Sequence, residues 1–335
     1  MKLRRIRDSG ETLVQAATGP TGSQGWVALS AVLPRLSQRP SEADAALWSR
    51  DLVAFLGAPG SVRVEAERIA ARLPPDSRPD ATVLMPFEPR SYRDFMLYER
   101  HAIDAARGIV GRFMPAVAPF VRAYESVTRS TFPALKPKAL WYRQPIYYMG
   151  NHLAFVTDGA AIAVPSYTRA LDYELELGCI LAHGLLDATP QEAEAAIGGF
   201  VVFNDFSARD VQHAEMLSGF GPQKAKHFRN AISSIVVTAD EVLPHWRALK
   251  GSVRVNGKLV SEPTSADPRW SLGEAIAHAS QSERLYPGEF FGSGTLPGGS
   301  GIETGRLLAA GDVIEIGIDR IGTLTNRIVA SEDAA

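Results

Sequence analysis

The chain holds a single cysteine, Cys179, among 335 residues. One thiol can form neither an internal disulfide nor a thiolate zinc cluster, so nothing in the sequence calls for an oxidising compartment. No run approaches the ~18 apolar residues that a bilayer span needs. The opening MKLRRIRDSGETLVQ has basic residues with no apolar stretch behind them, which is not the pattern of a secretory signal. An excess of one charge is missing as well. Lys and Arg number 35 against 37 Asp and Glu, a formal net charge of −2, which gives no electrostatic reason for nucleic acid or an anionic membrane as partner. A cytoplasmic protein is the expectation. Nucleotide and hydrolase signatures are lacking too. There is no P-loop, no GxGxxG after a strand, no GxSxG nucleophile elbow and no HExxH. What remains is carboxylate-metal chemistry, acid–base catalysis, or no catalysis.

What is present is ordinary globular material. With 45% hydrophobic and 21% charged residues, the chain can fill a sizeable core and is too apolar for a disordered one. LVQAA and GWVALS read as strands around the turn cluster GPTGSQG. Ser41 caps a helix through EADAALWSRDLVAFL, and Val62 to Leu73 is amphipathic. PPDSRPD at 74–80 is the linker candidate. Beyond it short apolar strands dominate, with helical patterns near 98–110, 190–197 and 271–279, the last opened by the capping box Ser271 and Glu274. The expected organisation is a small α+β domain over 1–78 and a strand-rich, β-rich α+β domain over 79–335.

Two acidic segments stand out. In Leu171-Asp172-Tyr173-Glu174-Leu175-Glu176-Leu177, period two puts Asp172, Glu174 and Glu176 on one face of a strand. Composition alone allows an exposed acidic face on an edge strand. The apolar continuation Ile180-Leu181-Ala182 argues instead for a central strand, where clustered carboxylates need a hard cation such as Mg²⁺, Mn²⁺ or Ca²⁺. The buried-strand run Gly199–Phe203 then ends in Asn204-Asp205-Phe206-Ser207-Ala208-Arg209-Asp210. By itself this could be a surface turn.

Taken together, DYELE at 172–176, NDFSARDVQ at 204–212, GSGT at 292–295 and the ending AAGDVIEIGIDRIGTLTNRI at 309–328 resemble the fumarylacetoacetate hydrolase family in order and spacing. The resemblance covers about residues 82–330. It implies a mixed β-sheet roll around a divalent metal, a small N-terminal domain in longer members, and a homodimer. It assigns the metal to Glu174, Glu176 and Asp205, with Asp94 of Ser91-Tyr92-Arg93-Asp94-Phe95 as a fourth acidic contributor. His101, seven residues on, matches the catalytic histidine, and Asp104 stands where relatives place its acidic partner, three apart on a helix face. Lys226 matches a catalytic lysine. Arg209, Gln212 and Thr295 match substrate-contacting positions, and Asn230 stands where larger enzymes carry a threonine. Met96 and Met216 replace two substrate-contacting tyrosines, which implies a more apolar, adaptable pocket. Arg107 and Arg112 lie near, but off register from, a carboxylate-reading arginine.

The implied reaction is hydrolytic cleavage of a carbon–carbon bond in a 1,3-diketone or acylpyruvate, with Mg²⁺ polarising a carbonyl and His101 activating water. Decarboxylation or tautomerisation of a 2-oxo acid uses the same enolate. A metal-binding scaffold without catalysis is the reading outside the enzyme class.

Overall fold

The computed structural model describes residues 1–19 and 23–331. The middle of the first expected turn, residues 20–22, lies outside them. The strands used below are β1 Lys2–Asp8, β2 Glu11–Thr18, β3 Gly25–Ala28, β4 Tyr92–Phe95, β5 Tyr147–Met149, β6 Ala161–Ala163, β7 Leu175–Leu181, β8 Ile197–Asn204, β9 Ile235–Thr238, β10 Gly251–Val255, β11 Lys258–Ser261, β12 Phe290–Gly292, β13 Val313–Ile318 and β14 Gly322–Val329. They form a large mixed sheet in the order β3-β2-β1-β9-β8-β7-β12-β4-β5 and a smaller one in the order β11-β10-β13-β14-β6. This is the mixed, β-rich α+β roll that the sequence predicts.

The period-two alternation sorts the core. Leu175, Leu177, Cys179 and Leu181 of β7, with Phe200 and Val202 of β8, face the smaller sheet and pack with Val253, Ile314, Ile316 and Leu324. Ile180 of β7, with Val201 and Phe203 of β8, points the other way, into a core shared with Leu3, Val14, Leu52, Phe55, Leu56 and Ala66 of the first seventy residues. Glu176 has the parity of Ile180, so it belongs to this second face.

The first 78 residues are therefore bonded into the rest of the molecule. β1 pairs antiparallel with β9, matching Lys2 with Val237 and Arg4 with Ile235. The helices here are α1 Glu42–Trp48, α2 Leu52–Leu56 and α3 Gly60–Ala70. The single helix expected from Ser41 is interrupted. Ser41 caps α1 as predicted, but Asp51 starts a second helix by accepting the Ala54 N–H at 3.0 Å.

The helices expected near 98–110 and 271–279 form as α4 Glu99–Phe113 and α7 Leu272–Ala279, the latter with the Ser271–Glu274 capping box. The one expected near 190–197 spans Pro190–Ala195, whereas α5 Ala118–Thr128 and α6 Arg209–Ser218 are not expected from the sequence. A one-turn helix, α8 Gly301–Thr304, follows the glycine loop. Gly108 lets α4 settle on it, because a Cβ there would overlap the carbonyl oxygen of Ile302. Among the described residues no helix is long and apolar enough to cross a membrane.

Candidate active site

β7 is central, between β8 and β12, and both of its faces are buried. The exposed-edge reading of the acidic ladder is thereby excluded. The predicted strand from Leu171 is also broken. Leu171–Asp172 pairs with Ser207–Ala208, and the ladder resumes only at Leu175. Asp172 accepts the N–H of its own neighbour Tyr173 at 2.8 Å, which takes that donor out of the sheet.

Glu176, Asp94 on β4 and Asp205 after β8 converge, with carboxylate oxygens within 4.8 Å of one another. β4 runs parallel to β12 with Asp94 opposite Gly292. A side chain on Gly292 would overlap Oδ1 of Asp94 and crowd Oε2 of Glu176, so this glycine opens the space where the two meet. Among the described residues, Oδ1 of Asp94 is buried without a hydrogen-bond partner. Glu176 accepts the Gly294 N–H at 2.9 Å and the Thr295 hydroxyl at 3.4 Å. Oδ2 of Asp205 accepts from Lys226 Nζ at 2.5 Å and from the Tyr148 hydroxyl at 2.8 Å. With the Asn230 amide turned so that its NH₂ faces the carboxylate, Asn230 donates to Oδ1 of Asp205 at 2.9 Å.

Burial, and then mutual repulsion, push Glu176 well above the ordinary carboxylate range. Burial raises Asp205 well above it too, although Lys226 opposes the shift. Asp94 is raised by burial. Three buried oxygen donors in need of positive charge, one of them unpartnered, fit a hard divalent cation. Asp94 thus stands inside the convergent set rather than beside it.

Glu174 is differently placed. Arg209 Nη2 donates to its Oε1 at 2.7 Å and Lys226 bonds its Oε2. Burial would raise its pKa, but Arg209, Lys226 and His101 hold it well below the usual range. Gln212 accepts from Arg209 Nη1 at 2.8 Å. Arg209, Gln212 and Lys226 are therefore brought together around Glu174. Thr295 is buried with its hydroxyl on Glu176, not on an open surface. Met96 and Met216 are 38% and 53% exposed.

His101 lies on the buried face of α4, its Nε2 3.8 Å from Oε1 of Glu174 and its Nδ1 3.0 Å from Oε2 of Glu303. Burial presses its pKa down, but Glu303 and Glu174 outweigh that and raise it above the ordinary histidine value. Asp104 does not orient it. That side chain bonds Arg107 on the outer side of the helix and lies 3.6 Å from Arg100. The partner is Glu303 instead, held by N–H groups of Gly298 at 3.0 Å and Ser300 at 3.1 Å and by the Ser300 hydroxyl at 2.7 Å. Its sequence signal is the box Ser300-Gly301-Ile302-Glu303 at the head of α8. Arg107 is tied to Glu125 at 2.8 Å, while Arg112 lines a cavity of about 400 Å³ between α4 and α8.

Residues 121–329 match the model of the fumarylacetoacetate hydrolase C-terminal domain. Over 189 residues the chain is 28% identical to the mitochondrial oxaloacetate tautomerase FAHD1 of Homo sapiens, covering 56% of this chain and 83% of that protein. An oxaloacetate tautomerase of Bacillus subtilis is 32% identical over 164 residues, 48% of this chain and 53% of its own length. Among solved structures, a fumarylacetoacetate hydrolase from Exiguobacterium antarcticum superposes with a TM-score of 0.67 over 98% of this chain and 99% of that one, at 20% identity. At that identity the likeness concerns the fold.

Proposed function

Because the chain belongs to the fumarylacetoacetate hydrolase family, we propose that it is a divalent-metal-dependent enzyme that carries a 2-oxo acid or 1,3-dicarbonyl compound through its enolate. The observation that carries this reading is a buried imidazole set between Glu303 and Glu174, beside three convergent carboxylates short of positive charge. Asp94, Glu176 and Asp205 would hold the cation, and their all-oxygen set suits Mg²⁺ first, with Ca²⁺ or Mn²⁺ next. Bound there, the metal supplies Lewis-acid polarisation of a substrate carbonyl.

The protein's own groups do the rest. Glu303, with Oε2 3.0 Å from Nδ1, stabilises the charged form of the ring, which leaves Nε2 to take and return a proton. Lys226 places a fixed positive charge between Glu174 and Asp205, where it would stabilise negative charge gathering on an enolate oxygen. Arg209, gripped by Gln212, keeps Glu174 ionised and in place.

Enol–keto tautomerisation is the first reading. It needs only proton transfer between carbon and oxygen, which one imidazole can perform, and two relatives carry that activity in their names. Hydrolytic cleavage of an acylpyruvate is the second. It is supported by Met96 and Met216, exposed thioethers at positions where the family resemblance expects substrate-contacting tyrosines, which would offer a longer acyl chain an apolar wall. The full-length protein with Mg²⁺ is offered enol-oxaloacetate and a panel of acylpyruvates and 1,3-diketones in ¹⁸O-water. A tautomerase removes the enol absorbance without changing mass, whereas a hydrolase places ¹⁸O in a carboxylate product. Failure of Mg²⁺ to stimulate turnover of any compound would overturn the proposal.

A further inference from the structure

Asp172 is wholly buried and has no part in the chemistry above, yet both of its oxygens are doubly bonded. Oδ1 accepts the N–H of Tyr173 at 2.8 Å and of Gly301 at 2.8 Å. Oδ2 accepts the N–H of Ile302 at 2.9 Å and Arg209 Nε at 2.6 Å. The Gly301 and Ile302 donors belong to the first turn of α8, where N–H groups have no partner inside the helix. Glu303 is the next residue. On the other side, the guanidinium held at Nε reaches with Nη2 to Oε1 of Glu174, the atom that faces Nε2 of His101.

Asp172 is thus linked to both ends of the imidazole, through α8 to the group at Nδ1 and through Arg209 to the group at Nε2. The packing leaves little slack. A Cβ on Gly301 would overlap Oδ1 of Asp172, and one on Gly108 would overlap the Ile302 carbonyl. A carboxylate that only neutralised Arg209 would have no need of the two α8 donors.

We infer that Asp172 is a positioning residue for the His101–Glu303 pair, fixing α8 so that Glu303 stands against Nδ1. The inference rests on the reading of that pair as the proton-transfer machinery, and the test separates the two. Kinetics of enol-oxaloacetate are measured on the full-length Mg²⁺-loaded protein for E303Q, D172N and the double variant, with D172S as an alternative to D172N. E303Q alone tests the reading, with an expected kcat loss of ~10²-fold. D172N is expected to lower kcat about 10-fold with KM within about threefold, and the double variant to be no slower than E303Q within about twofold, because residues acting through one contact are not additive.

Two readouts need no turnover. Mg²⁺ affinity by calorimetry stays unchanged in D172N. In ¹⁵N-histidine-labelled, metal-free protein the Nδ1 resonance of His101, assigned by its loss in H101A, moves in the same direction in D172N as in E303Q. Additive losses, weakened Mg²⁺ binding or an unmoved His101 resonance would each overturn the inference. So would failure of both D172N and D172S to fold, which would assign Asp172 to the stability of the fold. A fully active E303Q would overturn the reading of the pair instead, while the resonance still reports on Asp172.

Discussion

Glu174 and Glu176 are two residues apart, equally buried and identical in chemistry, yet their surroundings drive them in opposite directions. Glu174 meets Arg209 and Lys226 and is held ionised. Glu176 meets Asp94 and Asp205, and burial together with their repulsion pushes its pKa well above the ordinary carboxylate range. Burial costs a carboxylate the same in either place, so the partners decide the outcome. One half of the site supplies its own countercharge. The other half leaves that charge to a ligand.

The sharpest way to break this contrast is Glu176→Gln, which removes a carboxylate that, among the described residues, has two carboxylates and no bonded cation beside it. Metal-stimulated turnover should vanish while the protein stays folded. In metal-free wild type the raised pKa values mean that the folded state holds protons the unfolded chain has released. Thermal stability should therefore fall as pH climbs above ~4, the range of an unfolded carboxyl. Glu176→Gln should flatten that fall, and Mg²⁺ should restore wild type most at the higher pH. A steep, Mg²⁺-insensitive curve in both proteins would remove the site assignment.

His101→Ala tests the imidazole that lies between the halves. A positioned base is worth ~10²–10⁴-fold, so kcat should drop by that order with Mg²⁺ affinity intact. A rate that depends on the neutral ring should fall as pH drops through a value above ~6.5, because the shift is upward. Glu303→Gln should move that limb to lower pH. Near-normal kcat, or lost metal, would refute the role.

Lys226→Met removes the cation from the balanced half. Breaking a buried ion pair on one side costs about 3–5 kcal/mol, so the midpoint of denaturant unfolding should drop clearly. An unchanged midpoint would show that the Glu174–Lys226–Asp205 bridge adds little. Asp104→Asn should have the smallest effect, less than about twofold in kcat, since a surface pair with arginine is worth little. A large loss would restore Asp104 as a partner of His101.

Much of this arrangement is legible in the sequence because it is local. The alternation around Glu174 and Glu176 and the polar tail Asn204 to Asp210 each announce themselves within a few residues, and Asp94 stands out through the motif Ser91-Tyr92-Arg93-Asp94-Phe95 that the family resemblance picks out. The capping box at Ser271 does the same. What is not legible is which local candidates meet. Three-residue spacing puts Asp104 near His101 on any helix wheel, but α4 is rotated so that His101 faces inward and Asp104 faces two arginines. The true partner, Glu303, is 202 residues further along the chain, and helix spacing cannot reveal it. The break after Asp172 is hidden for a similar reason, since its cause is a side chain engaged by donors from α8 and α6.

The pairing of β1 with β9 bears on any attempt to trim the molecule. Removing residues 1–78 would strip one edge of β9, leaving Val236 and Val237 beside open N–H and C=O groups. It would also uncover Ile180, Val201 and Phe203. Such a bare, apolar edge is a template for a second chain to add onto. The smaller N-terminal part thus works as a permanent edge guard, and the part that carries the chemistry would be sticky without it.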